Sequence, residues 1–587
     1  VPPEAPHNPA SPGGATPYDL VIRGGRIVDG TGSAPVTGDV AVTDGRIAAV
    51  GSGLGPAREE IDASGLLVTP GFVDIHTHYD GQVTWENTLS PSSDHGVTTI
   101  VTGNCGVGFA PCRPDDHLKL VELMAGVEDI PEVVMTEGLA WNWESFPEYL
   151  DAVAARPHDV DIAAMLPHSA LRVYVMGDRA IRREAATTAD IDQMAKLTRE
   201  AIQAGAIGFA TSRALQQRSV HGEPIPTVRA AEDELHGVLA AMAAERIGVF
   251  QVLSDFGMFQ DVPGEFAMLR RLVAATGRPT SFTLNQKHSD PDRWRSLLAL
   301  TEQAVADGLP IRAQVLGRPT GLLLGHDVTL SPFTGSATYA ALATLPFSER
   351  IERLRDASVR AQILSETGPD RLGGWHKRFE LTDPPDYEPD PSLSIAARAH
   401  DKGMSPAALA YSILLDDDGH RLIFQAAQNY AADSLDAAHE MMTHPDTVLG
   451  LGDGGAHLGL ICDASYPTTM LAHWTRDRVR GPRLTVPEAV RALTSSTAEA
   501  VGLRDRGRLA PGYRADINLI DYDDLRLHAP RVVRDLPAGG RRIVQRADGY
   551  AATFVGGVAT RHDGRPTGAY PGRLIRGARP RPAGASA

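Results

Sequence analysis

Cysteine is scarce in this chain: Cys105, Cys112 and Cys462 are the only three among 587 residues. An odd, low count excludes a disulfide scaffold and fits a reducing compartment, so a cytoplasmic protein is expected. Long apolar runs are missing too. No stretch reaches the roughly 20 apolar residues of a membrane-spanning helix. Residues 1–17 are rich in Pro, Ala and Gly and hold no apolar segment that would serve as a secretory signal or anchor. A basic excess is also absent. The formal charge of -17 argues against nucleic acid as a partner, because a phosphate backbone is bound by a basic surface. There is no repeat array and no coiled-coil pattern.

What is present is a long chain whose texture changes twice. Residues 18–70 alternate apolar and polar, punctuated by Gly and Asp-Gly, as short strands do. The same style returns after about residue 508, so both ends are expected to build one β-sandwich (18–70 with 501–575). Between them, residues 71–500 alternate short apolar runs with Ala- and Leu-rich helical stretches. The runs include TTIVTG, VDIAAML, AIGFAT, RIGVFQVL, TSFTL, IRAQVL and TVLGLG. Repeated strand–helix units mean a parallel sheet. An α/β fold is therefore expected, with a (β/α)8 TIM barrel ahead of a doubly wound open sheet. The Pro- and Asp-rich stretch 375–392 reads as an insertion, either a surface excursion or an element at the rim of the pocket. Residues 1–17 read as an extended arm and 576–587 as a tail.

Polar patches end several of the apolar runs, where barrel enzymes keep their chemistry. His76 and His78 follow PGFVDI, and a His-X-His pair at a strand end puts two imidazoles on one side. Asp80 follows and either orients a ligand or caps the loop. Cys105 lies in TGNCGVG beside Asn104. Its strand-end position favours a thiolate metal ligand, whereas Cys112 and Cys462 read as inert. Asp453 ends TVLGLG, and His457 lies four residues on. Zinc accepts imidazole, thiolate and carboxylate in one sphere, which makes His76, His78, Cys105 and Asp453 candidate ligands. Lys287 and Arg318, both after strand ends, are candidate cations for a substrate carboxylate.

The segments PGFVDIHTHYDG, TGNCGVGFAP, LGDGGAH and VPEAVRALTSSTAEAVGLRDRGRLAPGYRADINLID resemble the amidohydrolase superfamily. The likeness is to its D-aminoacylase (N-acyl-D-amino-acid deacylase) branch and spans about residues 18–575. It implies a (β/α)8 barrel with a terminal β-sandwich, and zinc-dependent hydrolysis of an amide. It also implies that His76 and His78 are the paired histidines, Cys105 the bridging cysteine and Asp453 the catalytic aspartate. Two ligand positions depart from the pattern: Gln251 stands at the strand 5 histidine and Asn285 at the strand 6 histidine, while Lys287 is kept. His288 or His221 could compensate through a shifted chain path. One tightly bound Zn2+ is expected, with room for a second. Asp453 is expected to serve as general base and acid and His457 as an oxyanion donor, with Gln251, Asn285, Arg213, Lys287 and Arg318 lining a small-molecule amide site. The arginine-bearing loop of the family is replaced by CDASYPTTM, so larger N-acylated or peptide-like amides fit as well as a plain N-acyl-D-amino acid. Alternatives are a cyclic amidase, weakened by the absence of lysine in GFATSR, and a metal-free binding relic. A homo-oligomer is compatible with all of these.

Overall fold

A computed structural model describes residues 17–256, 262–368 and 374–584. Apart from Pro17, the expected N-terminal arm lies outside the described residues. The central sheet has eight parallel strands, which neighbour one another in sequence order. They are β1 (Phe72–Asp74), β2 (Val97–Thr102), β3 (Asp161–Pro167), β4 (Gly208–Arg213), β5 (Val249–Ser254), β6 (Thr280–Thr283), β7 (Ile311–Val315) and β8 (Thr447–Leu449). β2, β3 and β4 are buried along their whole length. Helices cover one face and barrel-interior side chains the other, so these strands are buried on both faces and show no apolar–polar alternation.

The barrel closes just beyond its first and last strands. Thr77 bridges Gly454 in parallel fashion. The His78 N–H donates to the Gly454 carbonyl at 2.8 Å, and the Asp453 N–H donates to the His76 carbonyl at 3.2 Å. The residues that zip the barrel shut are thus the ones that carry the polar patches.

Helices α1 (His117–Glu128) and α2 (Phe146–Ala155) lie between β2 and β3. α3 (Thr188–Ala204), α4 (Glu232–Glu245), α5 (Val262–Thr276) and α6 (Arg293–Ala306) follow β3, β4, β5 and β6 in turn, and α7 (Asp436–Thr443) precedes β8. α3 shows why these stretches are helical. Thr187 and Asp190 form a reciprocal capping box at its start, and Gly205 ends it with φ 117°.

Between β7 and β8 the chain leaves the barrel. Strands Gly321–Leu324, Ile423–Ala426 and Arg378–Glu380 form a separate antiparallel sheet. Its helices pack on a second core around Leu324, Phe333, Tyr411 and Ile423. The excursion expected near 375–392 is therefore one edge of a larger inserted unit.

The two chain ends meet in a nine-stranded sheet, where Leu67–Pro70 pairs antiparallel with Ile517–Ile520. Leu20, Ile22, Val42, Leu519 and Phe554 fill its core. A buried ion-pair hub joins it to the barrel: Asp161 of β3 meets Arg506 at 2.8 Å and Arg514 at 2.6 Å. The start of the segment expected as a tail stays on the body: the Gly577 N–H donates to the Gly205 carbonyl at 2.8 Å and the Arg579 N–H to the Gly502 carbonyl at 2.9 Å. Among the described residues no helix is long and apolar enough to cross a membrane.

Candidate metal centre and active site

His76 and His78 extend β1 to its C-terminal mouth, and both are about 98% or more buried. Cys105 arrives from β2 through a forced turn. Gly103 adopts φ 85°, and a Cβ there would meet the Met165 carbonyl oxygen at 2.1 Å. Gly106 adopts φ 66°, and a Cβ there would meet Thr211 Cα at 2.7 Å. Cys105 itself takes φ 53°, a left-handed conformation that costs a non-glycine residue energy and marks a site the fold over-determines. The two glycines in TGNCG therefore exist to press the thiol against the ends of neighbouring strands.

One donor atom from each of His76, His78 and Cys105 lies within 4.8 Å of the others. Cys105 Sγ is 3.4 Å from His76 Nε2. Asp453 Oδ1 is 3.4 Å from His76 Nε2 and 3.6 Å from His78 Nε2. Ligand bonds of roughly 2.0–2.3 Å arranged tetrahedrally put donors about 3.3–3.7 Å apart. These three spacings match that edge length, and His76, His78 and Cys105 form a group that fits a metal ion, with Asp453 against both imidazoles.

The charges favour a cation as well. Burial alone would raise the Asp453 pKa, but the hydrogen bond from His78 and the charges of His76, His78 and His457 outweigh it and hold the carboxyl well below its usual range. Burial lowers His76 to about 4 and keeps it a neutral ligand. Burial also opposes a charge on His78, yet Glu128 and Asp453 raise its pKa well above the ordinary value. Burial pushes the Cys105 thiol up to about 11. Asp80, buried on the loop that follows His78, rises to about 7 for the same reason. Its backbone carbonyl accepts from the Tyr149 hydroxyl at 2.8 Å. Solvent reaches the cluster from one side: the Asp453 and His457 side chains are 23% and 28% exposed.

Two residues absent from the sequence reading complete the site. Glu128, the last residue of α1, is buried with Oε1 at 3.5 Å from His78 Nδ1 and Oε2 at 3.5 Å from His457 Nε2. Its carbonyl also accepts the His457 N–H. Gln314 of β7 places Oε1 2.6 Å from His76 Nδ1. The one signal for Gln314 was a polar residue inside the apolar run IRAQVL. Glu128 gave none, since a glutamate at a helix end is ordinary.

The other expected site residues separate into those near the cluster and those engaged elsewhere. Gln251 accepts the Cys105 N–H at 2.9 Å, so it braces the cysteine through the backbone. Asn285 accepts from Asn429 at 3.2 Å, and Lys287 faces Asp255 at 3.5 Å with its side chain 31% exposed. Arg213 pairs with Glu265 at 2.6 Å in a buried contact. Arg318 pairs with Asp463 at 3.0 Å and stacks over the Tyr387 ring at 3.6 Å. Both guanidiniums are paired with carboxylates of the protein itself. His221 sits at the surface against Glu122 at 3.3 Å. Neither it nor His288 belongs to the donor cluster.

A family model described as "Amidohydrolase family" matches residues 59–566. An uncharacterized protein of Mycobacterium tuberculosis is 30% identical over 602 residues, covering 94% of this chain and 93% of its own length. The D-aminoacylase of Alcaligenes xylosoxydans xylosoxydans is 28% identical over 574 residues, covering 95% and 98%. A solved D-aminoacylase superposes with TM-score 0.64 at 24% identity, over 96% of this chain and all of that one. The N-acyl-D-glutamate deacylase of Bordetella bronchiseptica, solved with zinc and a phosphonate inhibitor, gives TM-score 0.61 at 24% identity over 96% and 100%. At these identities the solved structures establish the shared fold.

Proposed function

The chain belongs to the amidohydrolase family, on its D-aminoacylase branch, and from that premise we propose that it hydrolyses the amide bond of an N-acylated amino acid or a related amide. The buried His76–His78–Cys105 cluster with Asp453 against both imidazoles carries this reading. These four residues would hold Zn2+. When bound, such an ion supplies Lewis acidity and brings the pKa of water from 15.7 towards about 7.

The remaining work falls to side chains. Asp453, kept ionised and partly exposed, is placed to take the proton of the attacking water and return it to the leaving amine, which departs only when protonated. His457 lies on the solvent side and can donate to the developing oxyanion. Glu128 holds His457 and His78 in register from behind. Lys287, whose side chain is 31% exposed beside Asp255, is the cation offered to a substrate carboxylate, whereas Arg213 and Arg318 are buried in ion pairs. The named activities of the D-aminoacylase and N-acyl-D-glutamate deacylase relatives support this substrate class.

The test is turnover of a panel of N-acyl-D- and N-acyl-L-amino acids before chelation, after chelation and after zinc add-back. Activity should vanish with the metal and return with it. Full turnover by protein shown to be metal-free would refute the scheme.

A further inference from the structure

The barrel is also open at the end opposite the metal cluster. A cavity of about 730 Å³ is walled by the beginnings of β5 to β8 and by the segment around Arg579. Its inner wall is polar, with Gln251, Ser281 and Gln314 facing it. These side chains form the back of the metal site. Gln251 Oε1 accepts from Cys105. Gln314 contacts His76 through Oε1 and donates to Ser281 through Nε2 at 2.8 Å. Gln251 is 1% exposed, and its Nε2 has no acceptor among the described residues. A buried amide NH2 without an acceptor is rare in native proteins and calls for a ligand or water to complete it.

The outer wall carries five arginines: Arg246, Arg278, Arg312, Arg504 and Arg579. None has an ion-pair partner among the described residues. Burial alone lowers the Arg278 pKa, and no carboxylate offsets it. Two acidic residues share the wall. Glu499 is held by Arg508 at 3.0 Å and Arg581 at 2.8 Å, which leaves Asp446 as the one acidic group free to answer five guanidiniums. In a chain with 73 acidic and 56 basic residues, this local excess runs against the composition. Guanidinium groups bind carboxylates and phosphates bidentately, and the volume is that of a metabolite pocket.

We propose that this N-terminal mouth of the barrel binds a small multivalent anion, with the arginines holding its oxyanion groups and Gln251 Nε2 donating to an acceptor atom at its inner end. The site is separate from the hydrolytic one, and its occupancy is read without any activity.

Carboxylates and phosphates share the required chemistry, so two probes separate them: succinate and fructose 1,6-bisphosphate. Each is titrated calorimetrically into the full chain at constant ionic strength, against chloride. Wild type should bind at least one probe with one-to-one stoichiometry. The R312A/R504A double variant removes two exposed side chains and should weaken that binding at least tenfold, with an unchanged Tm in the absence of probe. Failure of both probes to bind beyond the chloride control overturns the proposal, and so does equal binding by the double variant.

Discussion

Glu128 is the residue on which the metal site leans most and the one least visible beforehand. Its carboxylate spans His78 and His457, and its carbonyl fixes the loop that carries His457. A carboxylate behind a metal-binding histidine sets the ring's tautomer and orientation, and its loss typically costs about 10–100-fold in metal affinity. Glu128→Gln should therefore lower zinc affinity by about that factor with little change in circular dichroism. A competition titration against a chromophoric chelator reads the change. An unaltered affinity would reduce Glu128 to a packing residue. His76, His78, Cys105 and Asp453 were legible as candidates because each is a polar residue at the end of an apolar run. Glu128 was not, because its role depends on the turn that follows it: Asp129 takes φ 51° and directs the chain away while the side chain stays under the barrel mouth. The partners of Arg213 and Arg318 were hidden in the same way. Glu265 and Asp463 lie 52 and 145 residues away from them in sequence, and no local pattern pairs them.

At the scale of elements, the eight barrel strands were readable because each is a short, largely apolar run set between longer helical stretches. The inserted three-stranded sheet was not, since its strands are three or four residues long and carry no usable period. Leu323, Phe379, Tyr387 and Phe424 pack the insertion into the main core, and a buried polar contact adds to this. Glu388 meets Arg478 at 2.9 Å and His473 at 3.1 Å, and accepts the Leu435 N–H at 2.8 Å. Burial would raise its pKa, but His473, Arg478 and the Leu435 amide prevail and bring it down to about 2 from 4.5. A carboxylate whose folded pKa is depressed adds stability that is present above its unfolded pKa and disappears as pH falls through the folded value. Glu388→Gln should thus be less stable than wild type at pH 7, and the gap should close between about pH 4.5 and 2. Urea unfolding at a series of pH values measures it. A gap independent of pH would mean that shape, not charge, holds the insertion.

Across the whole molecule, residues 18–70 and those after about 508 had the same alternating texture, which identified one β-domain made from both ends. The hub that seats this domain on the barrel was beyond reach, because Asp161 and its partners Arg506 and Arg514 are more than 340 residues apart. Asp161 also accepts the Arg573 N–H at 3.0 Å, so one buried carboxylate ties β3, the β-domain and the returning C-terminal segment together. Removing one partner of a buried charge network typically costs about 3–5 kcal/mol, because the other charges remain buried and unanswered. Asp161→Asn should lower unfolding stability by that order without altering metal content, since the hub and the cluster occupy opposite ends of the barrel strands. Denaturant unfolding with parallel metal analysis separates the two effects.

The most direct test of the account is the zinc content of the purified chain after metal removal, reconstitution and dialysis, compared with that of His76→Ala. Wild type should retain about one equivalent per chain, the occupancy of a single metal site, and the variant should retain almost none. Wild-type protein that comes through without zinc, or a variant that keeps as much as wild type, would contradict the claim that His76, His78, Cys105 and Asp453 form one metal centre.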